Sequence, residues 1–210
     1  MKNLCILMLL LIPWIGFSQP LRIRKNQSGL FSMGVRTTIS AFNDGSAKNP
    51  GMGVGGQFRL QASNRLNTEW FFDYITSPID DVGTRVDYHI GWSVMYYILK
   101  NPAPKVRPYI IAGHCFDHSE LKETRNPSNK MSRGSSAVQM GLGCHFNLSE
   151  RLDISLTTQY MMHLGKDIHA HVHEDGELEF EKHKGSLLEG HVLFHVGINY
   201  KIVDLWGKQK

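Results

Sequence analysis

Two sets of side chains in this sequence could do chemistry. The first is histidine. His169, His171 and His173 stand at alternate positions, Glu174, Asp175, Glu177, Glu179, Glu181 and His183 follow, and His163 and His191 flank the stretch. In an extended segment alternate residues share a face, so three imidazoles would project together beside carboxylates. That donor set suits zinc, nickel or copper(II). Segment 163–183 is therefore a candidate metal-binding loop with His169, His171, His173 and His183 as ligands, or else a solvated polar loop. The second set is charge: Arg36, Arg59, Arg85 and Lys201 against Glu69, Asp73, Asp87, Asp153 and Glu189, with His191 and His195 among them. Charges held away from water need partners. If these residues share one enclosed space, they form a salt-bridged network.

What would position them is a series of alternating segments. In 84–99, Val86, Tyr88, Ile90, Trp92, Val94 and Tyr96 take one parity, and Arg85, Asp87, His89, Gly91, Ser93 and Met95 take the other. A side-chain period of two is the signature of a strand. The same alternation predicts strands at 29–41, 51–63, 68–76, 107–117, 134–146, 152–164 and 186–202. Strand 107–117 is apolar at both parities, so its register is open. The connections alternate between short turns and longer loops, the longest being 118–133 and 165–185. Pro102 and Pro104 force the turn between the fourth and fifth strands. The fold class expected is all-β: an eight-stranded antiparallel up-and-down transmembrane β-barrel.

Alternation alone does not say which face is inside. A soluble lipocalin-like barrel carrying an apolar ligand has the same period. Lysine placement favours the membrane: of the twelve lysines beyond residue 18, only Lys201 falls in a predicted strand. Strands of a dozen residues also exceed the usual length in soluble sheets and suffice for a tilted crossing. With short turns on the periplasmic side and long loops outside, the connections match a transmembrane barrel.

Segment 1–18 reads as a secretory signal, with Lys2 ahead of an apolar run too short to span a bilayer. A lead-in (19–28), the barrel domain (29–202) and a tail (203–210) follow. Beyond residue 18 the chain carries 22 basic and 19 acidic residues, a balance of +3. That excess is too small to imply nucleic acid. Two cysteines in that part, Cys115 and Cys144, make no disulfide framework.

The signal segment, the eight-strand meander and the closing segment 190–200, with Val192, Phe194, Val196, Ile198 and Tyr200 in alternation, resemble the small outer-membrane β-barrel proteins of Gram-negative bacteria, akin to the outer-membrane-protein-A-like barrel domain. The resemblance implies residence in the outer membrane among its lipids and lipopolysaccharide. It also implies a monomer inserted by the barrel-assembly machinery, for which Tyr200 is the candidate terminal aromatic. Some outer-membrane barrels are lipid A deacylases or palmitoyl transferases that use a His/Ser pair. Here His118 and Ser119 are adjacent and point to opposite faces of a strand, which argues against a nucleophile–base pair.

Eight strands enclose room for side chains only. The function expected is therefore non-enzymatic: envelope structure, or surface interaction through loops 118–133 and 165–185. The alternatives are a metal-binding surface protein and a soluble carrier of an apolar ligand.

Overall fold

The computed structural model describes residues 27–42, 50–101, 104–172, 178–184 and 190–206. Among the described residues ten strands run in chain order: β1 (Leu30–Phe42), β2 (Gly51–Gln61), β3 (Leu66–Ile79), β4 (Gly83–Tyr97), β5 (Val106–Glu123), β6 (Lys130–Asn147), β7 (Leu152–Leu164), β8 (Lys166–Val172), β9 (Leu178–Lys184) and β10 (Gly190–Asp204). Eight of them close a barrel in the order β1-β10-β7-β6-β5-β4-β3-β2, and β8 and β9 form a separate hairpin. Closure is made by β1 against β10, antiparallel from Leu30 opposite Asp204 to Phe42 opposite His191. With both edges paired, none of these eight strands is left with an open row of backbone donors and acceptors.

The period of two sorts the side chains. Val35 and Met140 are each 66% exposed on the outer face, whereas Arg36 is 5% exposed and Asp73 is fully buried inside. The apolar face thus points outward. This overturns the soluble-carrier alternative, because the interior that would receive an apolar ligand is filled by charged side chains. Outer-face aromatics pack across strands, as in Phe58 stacked on Trp70 (centroids 5.3 Å apart) and Tyr74 against Tyr88 (5.2 Å). Strand β5, whose register the sequence left open, turns Arg107, Tyr109, Ile111, Cys115 and Asp117 inward and leaves Phe116 66% exposed. Cys115 lies inside, and both it and Cys144 are free thiols.

At the end away from the short turns the structure departs from expectation. The predicted loop 118–133 is mostly strand, since β5 and β6 are 18 residues each and only 124–129 turns the chain. At about 3.3 Å per residue such strands reach roughly 60 Å, well past a bilayer. Past it the outward face meets water, which is why its residues (His118, Glu120, Lys122, Lys130, Ser132) read as a loop. Lys122 and Lys130 also break the rule that lysine avoids the strands, for the same reason. The predicted loop 165–185 contains the β8–β9 hairpin.

That hairpin folds onto the long-loop end of the barrel. Ile168 and Leu178 are buried with Ile79 of β3 and Leu121 of β5, and Val82, Met131, Ala170 and Phe180 pack around them. Asn129 fastens it by donating from Nδ2 to the Leu178 carbonyl (2.8 Å) and to Glu123 Oε2 (2.8 Å). Gly83 makes the approach possible, since a Cβ there would lie 2.8 Å from Leu178 Cδ2.

Candidate functional site

The interior charges form two groups. The lower group, toward the short turns, is centred on Arg36 and Arg59. Arg36 makes a two-pronged contact with Asp73, through Nε to Oδ1 (2.7 Å) and through NH2 to Oδ2. Its NH1 also reaches Glu69 Oε1 at 3.2 Å. Arg59 lies directly opposite Glu69 across β2 and β3 and bonds its Oε2 at 2.8 Å. The other side of the Arg59 guanidinium spans the lumen to Asp153 Oδ1 (3.3 Å) and Ser155 Oγ (3.2 Å) on β7. Bidentate arginine–carboxylate contacts of this kind hold both partners in fixed geometry.

The upper group sits under the hairpin. Arg85 Nε meets Asp87 Oδ1 (3.0 Å), and Ser119 donates to the same oxygen (2.6 Å). Asp117 Oδ2 accepts from Arg133 NH2 (2.9 Å), and His89 Nε2 (3.3 Å) and His163 Nδ1 (3.1 Å) stand within ion-pair distance of the same carboxylate. His191 packs against His163 with ring centroids 4.6 Å apart and bonds Ser40 Oγ through Nδ1 (2.9 Å). His195 bonds Thr38 Oγ1 through Nδ1 (2.9 Å).

Beside the two groups lies an apolar cluster of Phe71, Ile75, Cys115, Ala137, Met161 and Leu193, although the groups still meet on β3 and β4, where Asp73 stands between Phe71 and Ile75 and directly opposite His89. On β7 Met161 falls between Asp153 and His163, and on β10 Leu193 falls between Asn199 and His191. The inward face therefore carries apolar side chains as well as charged ones. The Arg36 guanidinium stacks 4.3 Å above the Phe71 ring, so the cluster abuts the lower group.

The histidine-rich stretch takes a different form from the loop expected. In the hairpin register His169 lies opposite Glu181 and His171 opposite Glu179. Ile168 and Ala170 face the barrel, so both histidines and both glutamates take the other face. His171 Nε2 is 3.9 Å from Glu181 Oε2, both side chains being about half exposed. Among the described residues no three such side chains converge on one metal position. His173 and Glu189 lie outside the described residues, as does the side chain of His183.

No protein-family model matches the chain, and no curated protein sequence matches it. Solved structures do. Neisserial surface protein A (NspA) is 14% identical and superposes over 85% of this chain and 99% of its own with a TM-score of 0.56. OprG, an outer membrane protein of Pseudomonas aeruginosa, is 10% identical over 83% of this chain and 96% of its own, with a TM-score of 0.55. A major outer membrane protein of Thermus thermophilus gives 10%, 81%, 98% and 0.50. The fold is that of the small eight-stranded outer-membrane barrels.

Within that fold, the sequence-predicted residues Arg36, Arg59, Glu69, Asp73 and Asp153 come together in the lower group. Arg85, Asp87 and His191 belong to the upper one. The sequence reading did not place Asp117, Arg133, Arg107 or His145 in the charge set, and it took His163 as a flank of the metal-loop candidate rather than as part of the interior. Residues 107 and 117 share a parity within β5, so their charges carried the register that the apolar content of the strand concealed. His118 and Ser119 point apart: His118 stands on the outer face near the Tyr88 ring, and Ser119 inside meets the carboxylates of Asp87 and Asp117. The hydroxyl–imidazole pair of Ser40 and His191 is sealed, at 0% and 1% exposure.

Proposed function

We propose that this chain is a non-enzymatic outer-membrane barrel whose interior is a closed post and whose working surface is the long-loop end. It is exported by segment 1–18, inserted by the barrel-assembly machinery and held as a monomer among outer-membrane lipids and lipopolysaccharide. The observation that carries this reading is the interior itself. Opposite charges are paired at full burial inside a closed barrel whose apolar residues face out, and a hairpin is packed over one mouth. Such an interior offers no route for substrate, whereas the β5–β6 extension and the β8–β9 hairpin stand beyond the membrane as exposed, ordered surface. Fractionation of a Gram-negative host expressing the whole chain tests it. A band in the outer membrane that migrates differently with and without boiling is expected, and a soluble periplasmic band with no shift overturns the reading.

A second reading rests on the outward face of the hairpin, where register sets His169 and His171 opposite Glu181 and Glu179. Imidazole and carboxylate on one exposed face would take up zinc, nickel or copper(II) with modest affinity, joined by His173 and His183 if they reach the same face. Titration with zinc should show binding that weakens at least tenfold in His169→Ala/His171→Ala. Equal affinity in the variant removes these residues as ligands.

A further inference from the structure

Six cations and five carboxylates are buried in the described interior: Arg36, Arg59, Arg85, Arg107, Arg133 and Lys201 against Glu69, Asp73, Asp87, Asp117 and Asp153. The upper group balances, with Arg85 and Arg133 facing Asp87 and Asp117. The lower group does not. Arg36, Arg59, Arg107 and Lys201 share three carboxylates, Glu69, Asp73 and Asp153, leaving one positive charge over. The surplus sits at Arg107, which is 3% exposed and has only neutral acceptors: NH1 donates to Gln27 Oε1 (2.7 Å) and Gln61 Oε1 (3.3 Å), and NH2 to the Asn64 carbonyl. Its Nε is buried with no partner. Residues 1–26, 102–103 and 207–210 include no aspartate or glutamate.

A small pocket of about 20 Å³ lies where these groups meet, lined among others by Arg59, Arg107, Lys201, His145 and a single carboxylate, Asp153. It has room for one small particle. A second orphan donor belongs to it. Asn67 Nδ2 donates to the Tyr97 hydroxyl (2.8 Å), and that hydroxyl stands 3.2 Å from His145 Nδ1. With its oxygen accepting from Asn67, Tyr97 gives its own proton to Nδ1, which leaves the ring proton of a neutral His145 on Nε2. That Nε2 is buried without a partner.

We propose that this pocket binds one small monovalent anion of chloride size, held by Arg107, Lys201 and the Nε2–H of His145. A buried, uncompensated cation is strongly unfavourable. One bound anion closes the balance and gives partners to both orphan donors. The site lies on the opposite side of the apolar cluster from the hairpin, so its occupant enters from the short-turn end.

The test uses the chain from residue 19 refolded in detergent and unfolded by urea in sodium chloride or in sodium gluconate of equal ionic strength. The unfolding midpoint should be higher in chloride, and the difference should saturate with concentration. Arg107→Gln and Lys201→Gln each restore an equal count of charges, so each should lose the chloride effect while keeping the boiling-dependent shift in mobility. Crystals soaked in bromide should show an anomalous peak within hydrogen-bond reach of Arg107, a readout that stands even if both variants fail to fold. Equal wild-type midpoints in the two salts, with no bromide peak, overturn the proposal. A chloride effect that survives both substitutions also overturns it, because the ion then acts elsewhere.

Discussion

At the scale of the residue, the barrel depends on charges that have no water to fall back on. Asp73 is fully buried and faces the Arg36 guanidinium, which its neighbour Glu69 serves only in part because Glu69 also bonds Arg59. Replacing one partner of such a pair leaves the other charge stranded, at a cost of about 3–5 kcal/mol, whereas replacing both by apolar groups of similar size is often neutral. Asp73→Asn should therefore lower the stability of the refolded barrel by about that amount in urea unfolding. Arg36→Met combined with Asp73→Leu should recover most of it. A loss below about 0.5 kcal/mol in the single variant, the range of inconsequential surface changes, would show that the network does not hold the interior. Which residues face inward was legible in the sequence, because parity alone assigns Arg36, Arg59, Glu69, Asp73 and Asp153 to one side. Which of them pair was not. Arg36 reaches Asp73 from β1 to β3, two strands apart, and that contact depends on the stagger of the closed sheet, which no single strand encodes.

At the scale of the element, the β8–β9 hairpin was the least legible part. Its seven-residue strands are rich in charge and histidine, so the composition reads as loop. The period was nonetheless present: Ile168, Ala170 and Val172 alternate with His169 and His171, and Leu178 and Phe180 alternate with Glu179 and Glu181. What the sequence lacked was the surface that those few apolar residues would cover, because Ile79, Leu121 and Met131 were read as belonging to connections or to their edges. Since the hairpin is held by this small cluster, its attachment should be separable from the barrel. Ile168→Ala removes a side chain that is 1% exposed, at a cost of about 2–5 kcal/mol for a buried isoleucine. At 1.4 kcal/mol per factor of ten, the detached population rises roughly thirtyfold or more. Limited trypsin digestion at Lys166, Lys182 and Lys184 should accelerate accordingly while the boiling-dependent mobility of the barrel persists. Unchanged cleavage would mean that the hairpin is not held by this contact, and loss of the barrel band would mean that the two are one cooperative unit.

For the whole molecule, closure and filling together decide whether anything passes. An eight-stranded barrel leaves space only for side chains, and here that space is filled by the lower ionic group, the upper ionic group with the apolar cluster beside their junction, and then the hairpin. An ion could exchange water for the polar side chains of either group, but the apolar cluster fills much of the space beside the point where Asp73 faces His89, and apolar walls oppose conduction by excluding water. The hairpin is thus not the seal, although it covers the mouth. Wild-type protein in planar bilayers should show no conductance steps, and removal of residues 166–184 should leave the bilayer silent. Met161→Ser with Leu193→Ser, which replaces two fully buried apolar side chains of the cluster by hydroxyls, should introduce small steps in protein that still shifts mobility on boiling. Steps from the hairpin deletion alone would move the seal to the long-loop end and make the hairpin a gate. Steps from the wild type would mean that the paired charges rearrange to open a path, and the post would have to be redrawn as a channel.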